Sequence, residues 1–542
     1  MQSKTDPRGG VISIYATAAL AASLVLSLHL FAQPLRPWPD QGWMLQAAIR
    51  HARGEGLTTQ MNSQSHDLTR PAYDRLVYFP PGYPLLISAM LRAGMNVEAA
   101  VKATNAAALA IGMFGWLALA LPLLERRAFR ILFTALLVLA CGGVIVKGGT
   151  TDMLFWAGVP WWIACVARAR GRDDRSRVWL LVAAAAINAA LISIRWAAAF
   201  LVPVGVLAEM IPLRRDVRGL MKDAVAAATF ALPPTLVYLA IGAINRHYAS
   251  ASSVLSFTKA GWRPRYLLTL YPLQALFAIP VGLEPLLDRV WRSIDPAMSA
   301  GWGIAIFRVA LPLLLVASIL VVAGRAGPMA SGSTKVLMVI TLVAVGLVAF
   351  LAWMALRYNW GFVDWSFLSE PRYYRPFLPA FLLTWLVLFE RMSSRRAQVA
   401  GAAIFAISCV YLLQAAARWE WGWLRTADES LELVAKVESL TANPGLNVVL
   451  DADISDYVIH PKPNLIAGGY PEDAEIARCR VGQPATIWLV RRVHEQTAYL
   501  LDRDADRRRF EALRRRFGAT RVWASSGGNY EIYANSVING QL

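Results

Sequence analysis

Long apolar runs recur along this chain, near residues 11–32, 97–123, 129–147, 151–168, 178–194, 196–212, 223–244, 303–324, 335–356, 375–390 and 397–417. A run of about 20 apolar residues is what a helix needs to cross a hydrocarbon layer, since each residue advances it about 1.5 Å. Inside lipid every backbone polar group must find its partner within the protein, so such runs fold as helices that pack on one another. The fold class is therefore an all-α polytopic membrane bundle of about 11 transmembrane helices. A hydrophobic share of 56%, against 17% charged residues, and a mean hydropathy of +0.43 exclude an ordinary soluble protein.

The net charge of +18 does not point to nucleic acid. Lys and Arg collect in the short loops Arg126–Arg130, Arg168–Arg177, Arg214–Lys222, Arg325–Lys335 and Arg391–Arg396, which fall on alternate crossings together with the N-terminus. That pattern puts these loops in the cytoplasm and sends the intervening loops and the C-terminus outside. The first run follows MQSKTDPRGG, a start like that of a signal peptide, but its length fits a retained anchor. Cys141, Cys165 and Cys409 lie in apolar runs and Cys479 in a polar region, which is neither a disulfide framework nor a metal-site spacing.

Everything long then lies on the outer side: residues 33–96, 245–302, 357–374 and a tail from about 419. The first outer loop, 33–96, predicts a helix over 40–53, ended by the glycines of RGEGL, and a second after the Pro-Pro-Gly of YFPPGYPLLISAML. Both are amphipathic enough to lie along the interface. In the tail, the runs NVVLDAD, TIWLVRR, RVWASS and YEIYANS alternate with the helical patterns LELVAKVESL and DRRRFEALRRRFG. The domains expected are thus a membrane module over 1–418 and a small α/β domain over 419–542, outside the membrane.

Asp40, in RPWPDQGW, would sit at the mouth of the bundle, either as a desolvated general base or as a helix cap. Asp152, in KGGTTDML, begins another helix on the outer side, with Lys147 on the same tight turn; a cap, a simple ion pair and a ligand site are all open. Arg195 stands at a nearly loopless outward junction, placed either to snorkel to headgroups or to meet an anion. The densest outward cationic cluster is SEPRYYRPFLPAF, where Arg372 and Arg375 bracket Tyr373 and Tyr374. Two guanidinium groups and two phenols can grip a phosphate through charge-assisted hydrogen bonds, or hold a lipid headgroup without catalysis. Arg70, Arg75, Lys259, Arg263 and Arg265 add outward positive charge. Trp38 and Trp43 flank Asp40, and Tyr78 and Tyr83 flank the Pro-Pro-Gly, as an interfacial aromatic belt or as a surface for a sugar ring. There is no GxxxxGK[ST] loop, no HExxH, no nucleophile elbow and no CxxC, so nucleotide hydrolysis and zinc peptidase chemistry lack support.

An acid soon after the first helix, the stretch QAAIRHARGEGL, the YFPPGYPLL segment, an outward TTD and RYYRPFLP near the last helices together resemble the GT-C membrane glycosyltransferases. The nearest branch is the dolichyl-phosphate-mannose protein mannosyltransferase and aminoarabinose transferase group in its bacterial form, over about residues 10–418. The resemblance implies a bacterial inner-membrane enzyme that moves a sugar from a polyprenyl-phosphate carrier to an acceptor on the outer face. It implies that Asp40 is the catalytic acid of the first outer loop and Asp152 the second acidic position. Arg372 and Arg375, with Arg195 and Lys147, would match the residues that hold the donor phosphate. From the residues themselves, Tyr374 joins that grip, and Trp43, Tyr83 and Arg75 are candidates to line the substrate. Many members carry a second acid where this chain has Gln41, which weakens the case for a metal held by an acid pair; no cofactor is required, and a divalent cation stays open.

The chemistry is coherent on its own terms. A sugar on a lipid phosphate already has a good leaving group, so the site needs one base for the acceptor hydroxyl and cations for the departing phosphate. It does not need the acid that a glycoside hydrolase uses, and direct displacement predicts inversion. A transporter or flippase would favour inverted repeats and charges near the midplane, whereas the charges here collect at helix ends. A lipid-linked glycan ligase or polymerase would share substrates but would centre on outer Arg and His residues, and only His51, His66 and His247 lie in the outer loops of the helical region. A non-catalytic scaffold requires the acids to be caps.

Overall fold

The computed structural model describes residues 7–32, 35, 39–59, 67–70, 73–77, 79–147, 150–170, 172, 174–210, 217–248, 331–357, 375–392, 394–396, 398–399, 429, 431–451, 464–471, 473–493 and 503–537. Its contacts divide the chain into two units: Met1–Gln33 with Lys102–Trp360 and Trp365–Ala417, and Pro34–Val101 with Gly361–Asp364 and Arg418–Leu542.

The first unit is helical. It holds α1 (Pro7–Ala32), most of α4 (Val97–Ala120), α5 (Arg127–Lys147), α6 (Thr150–Ala169), α7 (Arg175–Ile194), α8 (Leu201–Met210), α9 (Val217–Tyr248) and helices at Ser331–Arg357 and Leu378–Arg391. These lie on nine of the predicted apolar runs; 303–324 lies outside the described residues, as does nearly all of 397–417. Among the described residues, Val97–Ala120, Arg175–Ile194 and Gly219–Asn245 are both long and apolar enough to cross a membrane. The run expected over 196–212 does not start as an α-helix, because a 3-10 turn at Trp196–Phe200 precedes α8.

Small residues set how closely the helices approach. A Cβ at Gly158 of α6 would lie 2.7 Å from Leu191 of α7, and one at Gly112 of α4 would enter the ring of Trp156, which is wholly buried. Trp116, Trp156, Trp162, Phe133 and Phe230 fill the centre. Leu24, Val25 and Leu28 of α1 and Leu232, Leu236 and Leu239 of α9 are instead more than half exposed, the outward apolar surface that lipid would cover.

Charges hold one end of this bundle. Glu390, buried at the end of the last described long helix, accepts hydrogen bonds from the amides of Glu125 (2.9 Å) and Arg126, and so satisfies donors just ahead of α5. Arg177 of α7 donates to Glu209 of α8 at 2.7 Å and to Asp223 of α9 at 2.9 Å, and all three are buried. Two acids bordering apolar runs were the signal for this knot, but the basic loop around Arg177 reads as a topology marker.

In the second unit, α2 (Pro39–Ala52) and α3 (Gly82–Arg92) pack on each other beside a two-residue ribbon of β1 (Thr58–Thr59) and β2 (Asp74–Arg75). The α/β part is a five-stranded mixed sheet made of β3 (Leu446–Leu450), β4 (Leu465–Gly468), β5 (Ala485–Arg492), β6 (Thr520–Ala524) and β7 (Tyr530–Val537), in the order β4-β3-β5-β7-β6. Strands β4, β3 and β5 run parallel, while β7 is antiparallel to β5 and to β6. Alternation along β3 and β5 sends Val448, Leu450, Ile487 and Leu489 to one face, against Phe510, Leu513 and Phe517 of the Arg503–Phe517 helix. Val449, Trp488 and Val490 go to the other, against Leu433 and Val437 of the helix over 431–440. Both faces are covered, which is why these strands read as continuous apolar runs.

Candidate functional site

Asp152, Arg195 and the Arg375–Phe377 turn lie at the end of the bundle opposite Glu390 and Arg177. Since α6 and α7 are joined by a short connection and pack along each other, the first turn of α6 and the last turn of α7 lie at the same end. Asp152 is the third residue of α6, and Arg195 follows α7 in extended conformation (φ −150°, ψ 123°) before the Trp196–Phe200 turn. Their side chains form an ion pair, with Asp152 6% exposed. Asp152 therefore has a cation as its partner, and the snorkelling open to Arg195 gives way to a contact inside the protein. The break after Ile194 makes this pair: it ends α7 and turns the chain before α8 begins.

Phe377, ahead of the Leu378–Arg391 helix, is wholly buried. Its ring meets Phe155 of α6 edge to face at 5.4 Å and Phe200 at 5.5 Å. The Arg375–Phe377 turn is thus anchored three residues beyond Asp152 and five beyond Arg195, and α5 packs against the same turn. The Arg375–Phe377 turn thus packs on α6 at the same end as the Asp152–Arg195 pair, and Lys147 ends α5. Nothing is described of the side chains of Lys147 and Arg375, and Arg372 and Tyr374, like Tyr373, lie outside the described residues.

Four other candidates belong to the second unit. Asp40 is the second residue of α2, following Pro39 in the first turn, so the capping position falls ahead of it. Acid in a first turn complements the positive end of the helix. Trp43 is half-buried, 6.1 Å from Phe79 between ring centres. Tyr83, expected to face substrate, is wholly buried, and its hydroxyl accepts a hydrogen bond from Gln41 at 3.4 Å. Arg75 stands on β2 opposite Thr58. Trp38, Tyr78, His66, Lys259, Arg263 and Arg265 lie outside the described residues.

The structure adds a residue that the sequence did not single out. Asp67 is buried and accepts hydrogen bonds from the Thr69 amide (3.0 Å), the Thr69 hydroxyl (2.5 Å) and the Gly482 amide (3.1 Å). Burial opposes its ionisation, but these bonds and the charge of Arg70 outweigh it and hold the carboxyl below its ordinary range. Leu68 donates to the carbonyl of Arg480 at 3.0 Å and buries its side chain among Phe510, Leu513 and Phe517. The 67–70 segment is clasped to the tail. Among the described residues no group of three His, Cys, Asp or Glu side chains could hold a metal ion.

No family model and no curated protein matches the chain. Among solved structures it is similar to ArnT from Cupriavidus metallidurans bound to undecaprenyl phosphate, with a TM-score of 0.50 and 14% identity, covering 98% of this chain and 99% of that one. The apo state of the same ArnT gives a TM-score of 0.45 and 16% identity over 98% of each chain. The likeness to the bound form shows the fold: this chain is built as that ArnT is, over nearly the whole length of both.

Proposed function

We propose that this chain is an integral-membrane glycosyltransferase that moves a sugar from a polyprenyl-phosphate donor to an acceptor hydroxyl at the outer face of a bacterial inner membrane. The observation that carries the reading is an end-to-end likeness to a protein captured with undecaprenyl phosphate, in a chain whose Asp152–Arg195 pair and Arg375–Phe377 turn lie at one end of its bundle. In this reading that end is the outer one, with the N-terminus cytoplasmic and the α/β tail outside.

Asp40 is the base that takes the acceptor proton as the hydroxyl attacks the anomeric carbon. The lipid phosphate leaves with its bonding electrons, and its growing charge is met by Arg372, Arg375 and Tyr374, with Lys147 alongside. Arg195 serves this cluster while Asp152 fixes its guanidinium, and Trp43 and Arg75 border the substrate. One base and one displacement give inversion, and the residues proposed for these steps need no cofactor. The membrane module over 1–418 carries the reaction, and the domain over 419–542, clasped to the 67–70 segment, recognises the acceptor or covers the site.

The test is transfer from a panel of radiolabelled polyprenyl-phosphate sugars by membranes holding the wild type, Asp40→Asn or Arg372→Ala. Transfer from one carrier by the wild type, lost by at least a hundredfold in Asp40→Asn with folding intact, is the expected result. Normal transfer by Asp40→Asn removes that residue as base, and no transfer from any carrier returns the transporter and ligase readings to the front.

A further inference from the structure

The Arg503–Phe517 helix is anchored by Phe510, Leu513 and Phe517, each no more than 2% exposed. Its apolar side is thereby committed to its own sheet and is not free to enter a lipid layer. Its other side borders an open groove of about 800 Å³, which it shares with the short Asp473–Ile476 helix. Four arginines line the groove: Arg507, Arg508, Arg515 and Arg516.

Charge in this groove is not balanced. Asp473 and Glu511 also line it, but each is engaged by an arginine outside the lining, Asp473 by Arg509 at 3.6 Å and Glu511 by Arg514 at 3.0 Å. Arg516 donates to the carbonyl of Cys479, through Nε at 3.1 Å and also through Nη2. Arg507, Arg508 and Arg515 are exposed and have no carboxylate partner among the described residues. Arg508 and Arg515 lie two turns apart on one face, about 10 Å along the axis, with Ala512 between them. Ala512 leaves the floor low, so two long side chains can close on one anion from either side.

We propose that this groove binds a phosphate-bearing anion, gripped between Arg508 and Arg515 above Ala512. Guanidinium forks match phosphate oxygens in pairs, and neighbouring uncompensated arginines are relieved by a ligand of more than one negative charge. None of the lining residues is aromatic, so the groove has no platform for the stacked bases of a nucleic acid. The site is separate from the proposed transfer chemistry and does not rest on that reading.

The test uses the full chain in nanodiscs of phosphatidylcholine, titrated calorimetrically with inorganic pyrophosphate. The expected result is one saturable site that weakens with added salt and loses at least tenfold in affinity in Arg508→Gln/Arg515→Gln. The charge-matched control Arg53→Gln/Arg521→Gln, two exposed arginines elsewhere, keeps the wild-type affinity. Equal affinity in both double variants, or no saturable binding in the wild type, overturns the proposal. Exposure of both groove arginines means that unfolding does not explain a loss, and an unchanged melting temperature checks it. Repeating the titration in phosphatidylglycerol nanodiscs names the source. Competition seen in the wild type but not in Arg508→Gln/Arg515→Gln assigns the site to a membrane headgroup, and its absence assigns it to a phosphate carried by a soluble ligand.

Discussion

Asp152 and Arg195 are costly to separate and cheaper to remove together. Taking one member from a buried ion pair leaves the other uncompensated, at about 3–5 kcal/mol, whereas neutralising both leaves no stranded charge. Asp152→Asn and Arg195→Gln should therefore each lower the unfolding temperature in detergent, and the double variant should recover most of it. If the pair serves the donor phosphate, the double variant regains stability without regaining sugar transfer; recovery of both marks the pair as structural. Asp67 gives a second expectation, of opposite kind. Its pKa is depressed in the folded chain, so the clasp contributes fully above the ordinary carboxylate range, near pH 4, and is lost as pH falls through the folded value. A melting temperature followed from about pH 6 to about pH 3 should fall less steeply in Asp67→Asn than in the wild type, and parallel curves would show that Asp67 does not carry the acid sensitivity. The sequence marked Asp152 and Arg195 one by one, through charges at the ends of apolar runs. Their partnership was not legible, because it depends on where α7 breaks, and Asp67 sits in a stretch with no periodic signal at all.

Among the elements, those with a strong period were readable and those defined by packing were not. Strands β3, β5, β6 and β7 lie where apolar runs predict them, and β4 was missed because four residues, LIAG, carry too little alternation. The glycines show the packing side of the same limit. Gly112 and Gly242 both stand inside long apolar helices, and nothing local tells them apart. A methyl at Gly112 meets the buried ring of Trp156, while one at Gly242 meets nothing within 4 Å. Gly112→Ala should cost about 1–3 kcal/mol through overpacking and disturb tryptophan fluorescence. Gly242→Ala should be neutral or stabilising by about 0.5–1 kcal/mol, the ordinary gain of alanine over glycine in a helix. Thermal unfolding of the two variants in one detergent measures the difference, and equal shifts would contradict the close approach of α4 and α6.

At the scale of the whole molecule, composition gives the class and cannot give the grouping. Residues 67–69 reach partners more than 400 positions away, Gly482 and Gln483, and no local pattern encodes a contact of that separation. The clasp makes the order of the 67–77 segment depend on the tail. Leu68 is its apolar pin, 2% exposed in the same core as Phe510 and Leu513. Gly482 is its tight point, where a Cβ would collide with the Asp67 carboxylate. Leu68→Asp places an unpaired charge in that core, and Gly482→Ala pushes the two segments apart without adding charge. Hydrogen exchange on the full chain should show faster exchange in both 67–77 and 480–490 in either variant, while α4 to α8 exchange as in the wild type. Faster exchange in the loop alone would mean that the tail holds its shape without the loop, and the coupling would run in one direction only. If neither segment responds, the loop is ordered by α2 and α3 by themselves, and the tail has no part in presenting Asp40.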